Sequence, residues 1–429
     1  THPPSRAFDF EGSAAMRVAV VGAGVSGLVV AHLLDRAHDV TVFEANDYAG
    51  GHTNTIRVDT PNETHQVDTG FIVFNDRNYP NFERLLSRLG VGSQRSTMSF
   101  SVSDGMGDFE YSSASPSGLF AKRAHLLTPW FHRMVADLGR FNRAARELLD
   151  DRAEDVSLAD WLERHRFSRA FIERLIVPQA SAVWSAPPHQ MGSFPARFLA
   201  EFFDNHGMLS LRGRPGWRTV RGGSARYVEA LTRAFSGRLR LRTPVDAVTR
   251  HPDHVLITPR GSEAERFDQV VLATHSDQSL ALLPDASDRE HEILGALPYQ
   301  SNEAVLHTDV GLLPHRRRAW ASWNYHLLPE AREMTTVTYH MNRLQSLRAE
   351  REFCVTLNHT RAIDPAHVIR TIPYAHPVYT AAGVRAQARV HEIDGRNRTH
   401  FCGAYWGWGF HEDGVRSALR VGQRFGARL

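Results

Sequence analysis

The stretch from Arg17 to Glu44 constrains the fold of this chain more than any other. Val18 to Val21 is a short, apolar, β-branched run, the pattern of a strand buried on both faces. Gly22, Gly24 and Gly27 then give G-x-G-x-x-G, and Leu28 to Leu34 restarts with helical spacing. The first glycine permits a tight turn, the second lets the backbone approach a pyrophosphate, and the third lets helix and strand close on each other. Amides and dipole at the helix start attract phosphate charge, which adds Val25 and Ser26 to the binding positions. A second strand, Val40 to Phe43, ends at Glu44, where an acidic side chain accepts hydrogen bonds from ribose hydroxyls. A glycine turn alone is a weak signal. Strand, glycines, helix, strand and acid in this order specify a Rossmann-type α/β domain that binds a dinucleotide.

The 429 residues, 42% apolar and 23% charged, have globular composition and enough length for two or more substructures. A net charge of +3 is small for this size and gives no reason to expect a nucleic-acid partner. Cys354 and Cys402 are the two cysteines, without metal-ligand spacing, so no metal site is expected. They suit a reducing, cytoplasmic setting and exclude a disulfide framework. No apolar run reaches the length of a membrane span. The apolar run behind Arg17 carries three glycines at dinucleotide spacing and is read as a strand and helix rather than a leader. Thr1 to Ala15 is expected to be a loosely held tail.

Directly after Glu44 comes Ala45-Asn-Asp-Tyr-Ala-Gly-Gly-His-Thr-Asn-Thr55, where Gly50-Gly51 lets backbone approach something bulky and His52, Thr53 and Asn54 add donors. In this block the chain resembles the flavin-containing amine oxidoreductases, whose E-A-x-x-x-x-G-G-R pattern follows the glycine-rich strand and helix. The resemblance implies FAD rather than NAD, with Ala45, Gly50, Gly51, His52 and Thr53 along the diphosphate and flavin. His52 stands where the family usually has arginine. An imidazole can still donate to phosphate, with a charge that depends on pH.

The same resemblance orders the rest of the chain. It implies an FAD-binding domain over 16–77, 215–279 and 396–429, interleaved with a substrate domain of helices and a mixed sheet over 78–214 and 280–395. Val67 to Phe74 reads as a strand with a glycine kink, and Pro80 to Leu89, Pro129 to Leu149 and Leu158 to Val177 read as helices, the last introduced by Asp155-Val-Ser. Gly222-Gly223 opens another helix, and Phe267 to Thr274 is a buried strand returning to the nucleotide sheet. Asn302 to Thr308, Arg318 to Asn324 and Thr335 to Tyr339 are the clearest strands of the substrate sheet. Val245 is read either as an adenine contact, as in the family, or as an ordinary sheet residue. Gly403 matches the glycine that ends the family's late strand, while Gly414 and Val415 match the start of a helix whose amides face the flavin.

More narrowly, Tyr48 to Thr55, Arg318 to Tyr325, Tyr374 to Tyr379 and Cys402 to Gly414 resemble one bacterial branch whose genes often neighbour cyclopropane-fatty-acid synthase-like methyltransferases. That branch includes a desaturase of methyl-branched fatty acyl chains in furan fatty acid synthesis. The resemblance therefore implies a phospholipid-esterified acyl substrate and a methyltransferase as functional partner. Amine-oxidising relatives carry a lysine on the strand matching Asn302 to Thr308, and this strand has none; Lys122, the lone lysine, lies elsewhere. Double-bond isomerisation and amine oxidation remain the alternatives. Removing hydrogen from adjacent carbons needs a hydride acceptor and a base. Tyr374, His376, His411 and Glu412 are the polar candidates beside the flavin. For His376, His411 and Glu412 a purely structural hydrogen bond is the competing reading. Trp406, Trp408 and Phe410 are read as packing on the cofactor or lining an acyl passage. Ser117 to Arg133 mixes aromatics and leucines with basic residues, as a segment lying on a membrane surface does, with Trp130 and Phe131 as the inserting side chains; a packed helix has the same composition.

Overall fold

A computed structural model describes residues 15–150, 156–210, 213–328 and 334–429. The expected tail lies outside the described residues except for Ala15, and Asp155 lies outside them as well.

The opening motif builds the centre of a five-stranded, all-parallel sheet ordered Arg238–Arg240, Asp39–Phe43, Arg17–Val21, Gln269–Leu272, Thr399–Phe401. Val18 to Val21 are buried on both faces, which is why they read as an uninterrupted apolar run. The helix Val25–Leu34 is buried almost all round. One side meets the sheet, and another meets the last helix, His411–Arg424. Gly414, Ala418 and Gly422, four residues apart, form the contact stripe. A Cβ on Gly414 would stand 2.7 Å from Val25 Cγ1, and one on Gly422 would stand 3.0 Å from Leu33 Cδ1. Small residues at this spacing let two helices approach closely, and here the first helix is locked between sheet and chain end.

Two expectations change in this half of the molecule. The strand expected over Val67 to Phe74 stops at Asp68: Thr64–Asp68 pairs with Thr55–Asp59 in a hairpin, and Phe74–Asn75 pairs separately with Trp217–Val220. Gly70 lies against the His52 carbonyl with no room for a side chain, and Phe71 donates its amide to that same oxygen at 2.8 Å. The last helix begins at His411 rather than near Gly414. The Asp413 carboxylate accepts the amides of Trp408 and Phe410 at 3.0 and 3.1 Å, closing the first turn three residues earlier.

The other half of the molecule holds a seven-stranded mixed sheet ordered Val368–Pro377, Tyr299–His307, Cys354–Leu357, Val337–His340, Trp323–His326, Phe100–Ser103, Glu110–Ser112. Phe100–Ser103 and Glu110–Ser112 come from the region read as purely helical. Phe100–Ser103 runs parallel to Trp323–His326, joining residues of 78–214 to residues of 280–395. Helices over 129–205 cover this sheet with an aromatic core including Phe131, Phe141, Phe171, Trp184, Phe198 and Phe202. The helix expected over Leu158 to Val177 is broken. Leu158–Arg164, capped by the Ser157 hydroxyl, ends in a turn with Arg166 at φ 51°, and Val177–Trp184 follows a π-helical turn, Ile172–Ile176. No helix among the described residues is long and apolar enough to cross a membrane.

Candidate cofactor and active site

Two glycine turns face each other at the carboxyl end of the nucleotide sheet. Gly50 donates its amide to the Ala23 carbonyl at 2.8 Å. Gly51, at φ +59°, lies so near that a Cβ would stand 3.2 Å from Gly24 Cα. Gly22, at φ +101°, would carry a Cβ into the Ala273 carbonyl, and a Cβ on Gly27 would overlap the Gly22 carbonyl. Both glycines are thus required by the protein itself. Gly24 is different: its added Cβ would meet no atom within 4 Å. The second glycine therefore borders open space, at the start of a helix whose first backbone bond runs from Leu28 to Gly24. The amides of Val25, Ser26 and Gly27 precede that bond, as an anion-binding helix start requires. Glu44 accepts Ala23 N–H at 2.8 Å and both the backbone and side-chain amides of Asn46 at 2.9 Å. Its neighbour Ala45 is exposed. Thr243 donates its amide to the Glu44 carbonyl, which brings Val245, first residue of strand Val245–Arg250, to the same end of the cleft. Diphosphate beside Gly24, ribose beside Glu44 and adenine near Val245 is an arrangement these residues fit.

A cluster of imidazoles and hydroxyls continues from the second glycine turn. His52 stacks on Tyr374 with ring centroids 4.8 Å apart, and lies 5.3 Å from His376 and 6.0 Å from His275. His275 stacks on Tyr299 at 4.3 Å. Tyr374 and Thr69 share a hydroxyl–hydroxyl bond of 2.8 Å, and the Asn302 amide meets His376 Nδ1 at 2.9 Å. Burial pushes His52 and His275 down to about 4 and His376 to about 3, neighbouring imidazoles adding to each shift, so all three are uncharged at neutral pH. The polar partner of His52 is the Ala375 backbone, while its Nε2 is shut from solvent with no partner. A ring that donates through Nδ1 to a carbonyl presents Nε2 as a lone pair. His52 is thus held neutral by its burial, so the pH-dependent charge expected of it is absent near neutral pH.

The residues at this cleft fit FAD, and the comparisons agree. The model of the flavin-containing amine oxidoreductases matches residues 25–332. The chain belongs to that family. Its cofactor is accordingly FAD, and it is a flavin-dependent oxidoreductase. The carotenoid phi-ring synthase of Streptomyces griseus is 28% identical over 295 residues, 64% of this chain and 55% of that protein. Among solved structures, the CLA-producing fatty acid isomerase from P. acnes superposes with a TM-score of 0.65 at 16% identity over 96% of this chain and 98% of that one. Cyclohexylamine oxidase from Brevibacterium oxydans gives 0.68 at 17% identity over 96% and 100%. At such identities the likeness is one of fold.

Not every expected site residue joins the cluster. His411 is buried, stacks on Phe71 at 3.4 Å, and shares hydrogen bonds at its Nε2 with the Thr53 and Tyr227 hydroxyls, both at 2.9 Å. It ties the last helix to the second glycine turn. Glu412 turns away: its carboxylate accepts the amides of Asn81 and Phe82 and the Asn81 side chain at 2.6 to 3.2 Å, capping helix Pro80–Arg88. Gly414 and Val415 serve the helix contact, Val415 within the core and the Gly414 carbonyl accepting from the Ser26 hydroxyl at 3.1 Å. Gly403 donates its amide to Ser417 Oγ at 2.9 Å and leaves room for the Tyr405 ring. Burial pushes the Cys402 thiol up to about 12, and the side chain is free. Sequence reasoning missed His275, Asn302 and Tyr227 as neighbours of the site. His275 carried a signal, since it directly follows the strand read as returning to the nucleotide sheet.

An aromatic wall flanks the cluster. Phe410 and Trp408 pack on Phe202 at 5.3 and 6.1 Å, Phe202 on Trp184 at 4.9 Å, and Tyr379 on Phe198 at 5.1 Å. A cleft of about 350 Å³ opens beside it, between Asn78, His206, Trp408 and Phe410. Trp406 instead stacks on Tyr405 at 4.8 Å. No group of three metal-ligating side chains occurs among the described residues.

Proposed function

We propose that this chain desaturates a fatty acyl chain, methyl-branched and phospholipid-esterified as its branch resemblance implies, on a route to furan fatty acids. The observation that carries the reading is the neutrality of the polar groups beside Gly51. His52, His275 and His376 are held uncharged by burial. The buried carboxylates nearby are engaged: Asp68 by Thr55, Ser224 and Gln345, Glu412 by Asn81 and Phe82, and Asp413 by Trp408, Phe410 and Arg416. A cationic amine would find no carboxylate there without hydrogen-bond partners of its own, so pairing with one would mean breaking bonds the fold already makes. A methylene chain needs none. Lys122 offers no amine-oxidase chemistry either, since its ammonium is bound to Asp108 on the outer surface. The match to a carotenoid phi-ring synthase supports an apolar substrate.

When bound, FAD supplies a two-electron acceptor for the hydride leaving one carbon. His52 Nε2, buried with no partner from the protein, would take the proton from the adjacent carbon. Tyr374, stacked beneath it and held by Thr69, fixes the orientation of the imidazole. Trp184, Phe198, Phe202, Trp408 and Phe410 hold the chain and exclude water. A methyl branch on the substrate requires a methyl-transferring enzyme upstream, the partner that the branch resemblance implies.

The test is anaerobic incubation of the FAD-loaded protein with phospholipids bearing methyl-branched acyl chains. Desaturation gives lasting loss of the yellow absorbance and an acyl product two hydrogens lighter, both abolished by His52→Ala. An isomerase would return to the oxidised spectrum with product of unchanged mass. Peroxide release from polyamines in air, without acyl turnover, would make it an amine oxidase.

A further inference from the structure

Large hydrophobic side chains are exposed at seven of the described positions, and four of them fall on one face: Met106 (66%), Leu126 (48%), Leu127 (90%) and Trp130 (40%). Isolated exposed apolar side chains are ordinary, whereas a cluster of them marks an interaction surface. Met106 tips a tight turn whose amides at Met106, Gly107 and Phe109 all donate to the Asp104 carboxylate. Leu126 and Leu127 end a 3-10 turn, Arg123–Leu127, and Trp130 opens the next helix. Phe109 packs on Trp130 at 5.9 Å and Lys122 reaches the Asp108 carbonyl at 2.7 Å, so the two segments stand side by side. Beneath them His125 and Phe131 stack at 4.3 Å, both buried. Phe131, expected to insert into a membrane, is therefore a core residue supporting the patch. The apolar tips stand on rigid turns.

Cations outnumber acids around them. Arg123, Arg317 and Arg318 are exposed, and the Arg174 guanidinium lies 4.8 Å over both the Phe109 and Trp130 rings. None of the four has a carboxylate within 4.0 Å among the described residues. The turn Arg317–Ala319 packs on Pro116–Leu119, which leads into the same segment. The acids of this face are engaged: Asp104 by the amides of its own turn, Asp108 by Lys122, Glu110 by Arg316, and Asp137 by Arg133 and Arg140. Exposed apolar tips within a surplus of unpaired cations complement an anionic, oily boundary.

We propose that this face docks on the surface of an anionic lipid bilayer, with Leu126, Leu127, Met106 and Trp130 among the acyl chains and Arg123, Arg317 and Arg318 at the headgroup phosphates. The inference does not rest on the substrate reading, because docking is read without turnover. The test is co-flotation of the FAD-loaded protein with phosphatidylcholine vesicles, with and without phosphatidylglycerol. The protein floats with the anionic vesicles, and raised salt releases it. Leu126→Ser with Leu127→Ser weakens binding about tenfold or more per leucine. Arg123→Gln, Arg317→Gln and Arg318→Gln weaken it about fivefold each for anionic vesicles alone. Melting temperature and flavin absorbance stay at parental values, since all five side chains are exposed. Failure of the parent to float, or flotation of both variants like the parent, overturns the proposal. So does a parental dimer that the leucine changes convert to monomer, which would assign the face to a second copy.

Discussion

Gly24→Ala separates what the first glycine turn does for the cofactor from what it does for the fold. Gly24 sits at φ −73°, ψ −178°, a conformation open to alanine. The new Cβ would meet no protein atom within 4 Å. The apoprotein should therefore keep its stability to within about 0.5 kcal/mol, a melting shift of no more than about 2 °C. FAD, however, must bring its diphosphate against this backbone. Displacing it by a methyl group removes at least one charge-assisted hydrogen bond worth about 1.5–3 kcal/mol, so affinity falls about 10- to 100-fold. Gly27→Ala is the contrasting variant. Its Cβ would overlap the Gly22 carbonyl and stand 3.2 Å from Ala273 Cβ. That overlap costs about 1–3 kcal/mol before any cofactor is added. The assay is titration of each apoprotein with FAD, followed by flavin fluorescence, beside thermal melts of the same samples. A Gly24→Ala protein that binds FAD like the parent, or whose apoprotein melts several degrees lower, would refute the reasoning.

Glu412→Ala uncaps helix Pro80–Arg88 and should cost about 1–2 kcal/mol in urea unfolding; turnover per bound flavin stays within a few-fold, and a hundredfold loss would return Glu412 to catalysis. Tyr227→Phe removes the hydroxyl bridging Thr53 and His411 at 2.5 and 2.9 Å, costing about 1–2 kcal/mol and loosening FAD binding through the second glycine turn; unchanged FAD affinity would count against that coupling. Acid should destabilise the apoprotein. His52, His275 and His376 are lowered from 6.5 to about 4, 4 and 3, so their contribution is complete above 6.5 and is lost as pH falls through the folded values. Asp68 and Asp413, raised to about 6, act oppositely between 6 and 3.8. They are outnumbered, because His206, His307, His326 and His400 are lowered to about 4, 4, 3 and 4 as well. Melting temperature should fall steadily from about pH 6.5 to 4, and a flat profile would show that these imidazoles are hydrated.

What could be read from the sequence was what is local. The first strand, its glycines and the following acid lie within one continuous stretch whose chemistry is set by neighbours in sequence, and the structure places them as expected. The start of the last helix was misplaced because no serine, threonine or asparagine caps it. The cap comes from Asp413 folding back, while Gly414 is a glycine for Val25 on another helix, 389 positions earlier. Trp130 and Phe131 show the same limit at one residue's resolution. Phe131, Met134 and Phe141 turn inward with the helical period, while Trp130 lies one step out of phase. Composition treats the pair alike, and only the face of the helix separates them. His275 and His52 come from different parts of the chain, and no periodicity connects them.

Hydrogen-bonding capacity then sorts the candidates that sequence could only collect. The Glu412 carboxylate is filled by three donors, His411 Nε2 by two hydroxyls, and the Ser26 hydroxyl by the Gly414 carbonyl. Each is tied to another element of the fold, so replacing it disturbs structure first. His52 differs because its second nitrogen is buried and unpartnered. The fold holds it there by stacking on Tyr374 and by the bond to Ala375. The arginine usual in this family would present donors and a fixed charge at this place, and histidine presents a ring that burial keeps neutral instead. That exchange removes a fixed positive charge from the second glycine turn and leaves an imidazole that burial keeps neutral.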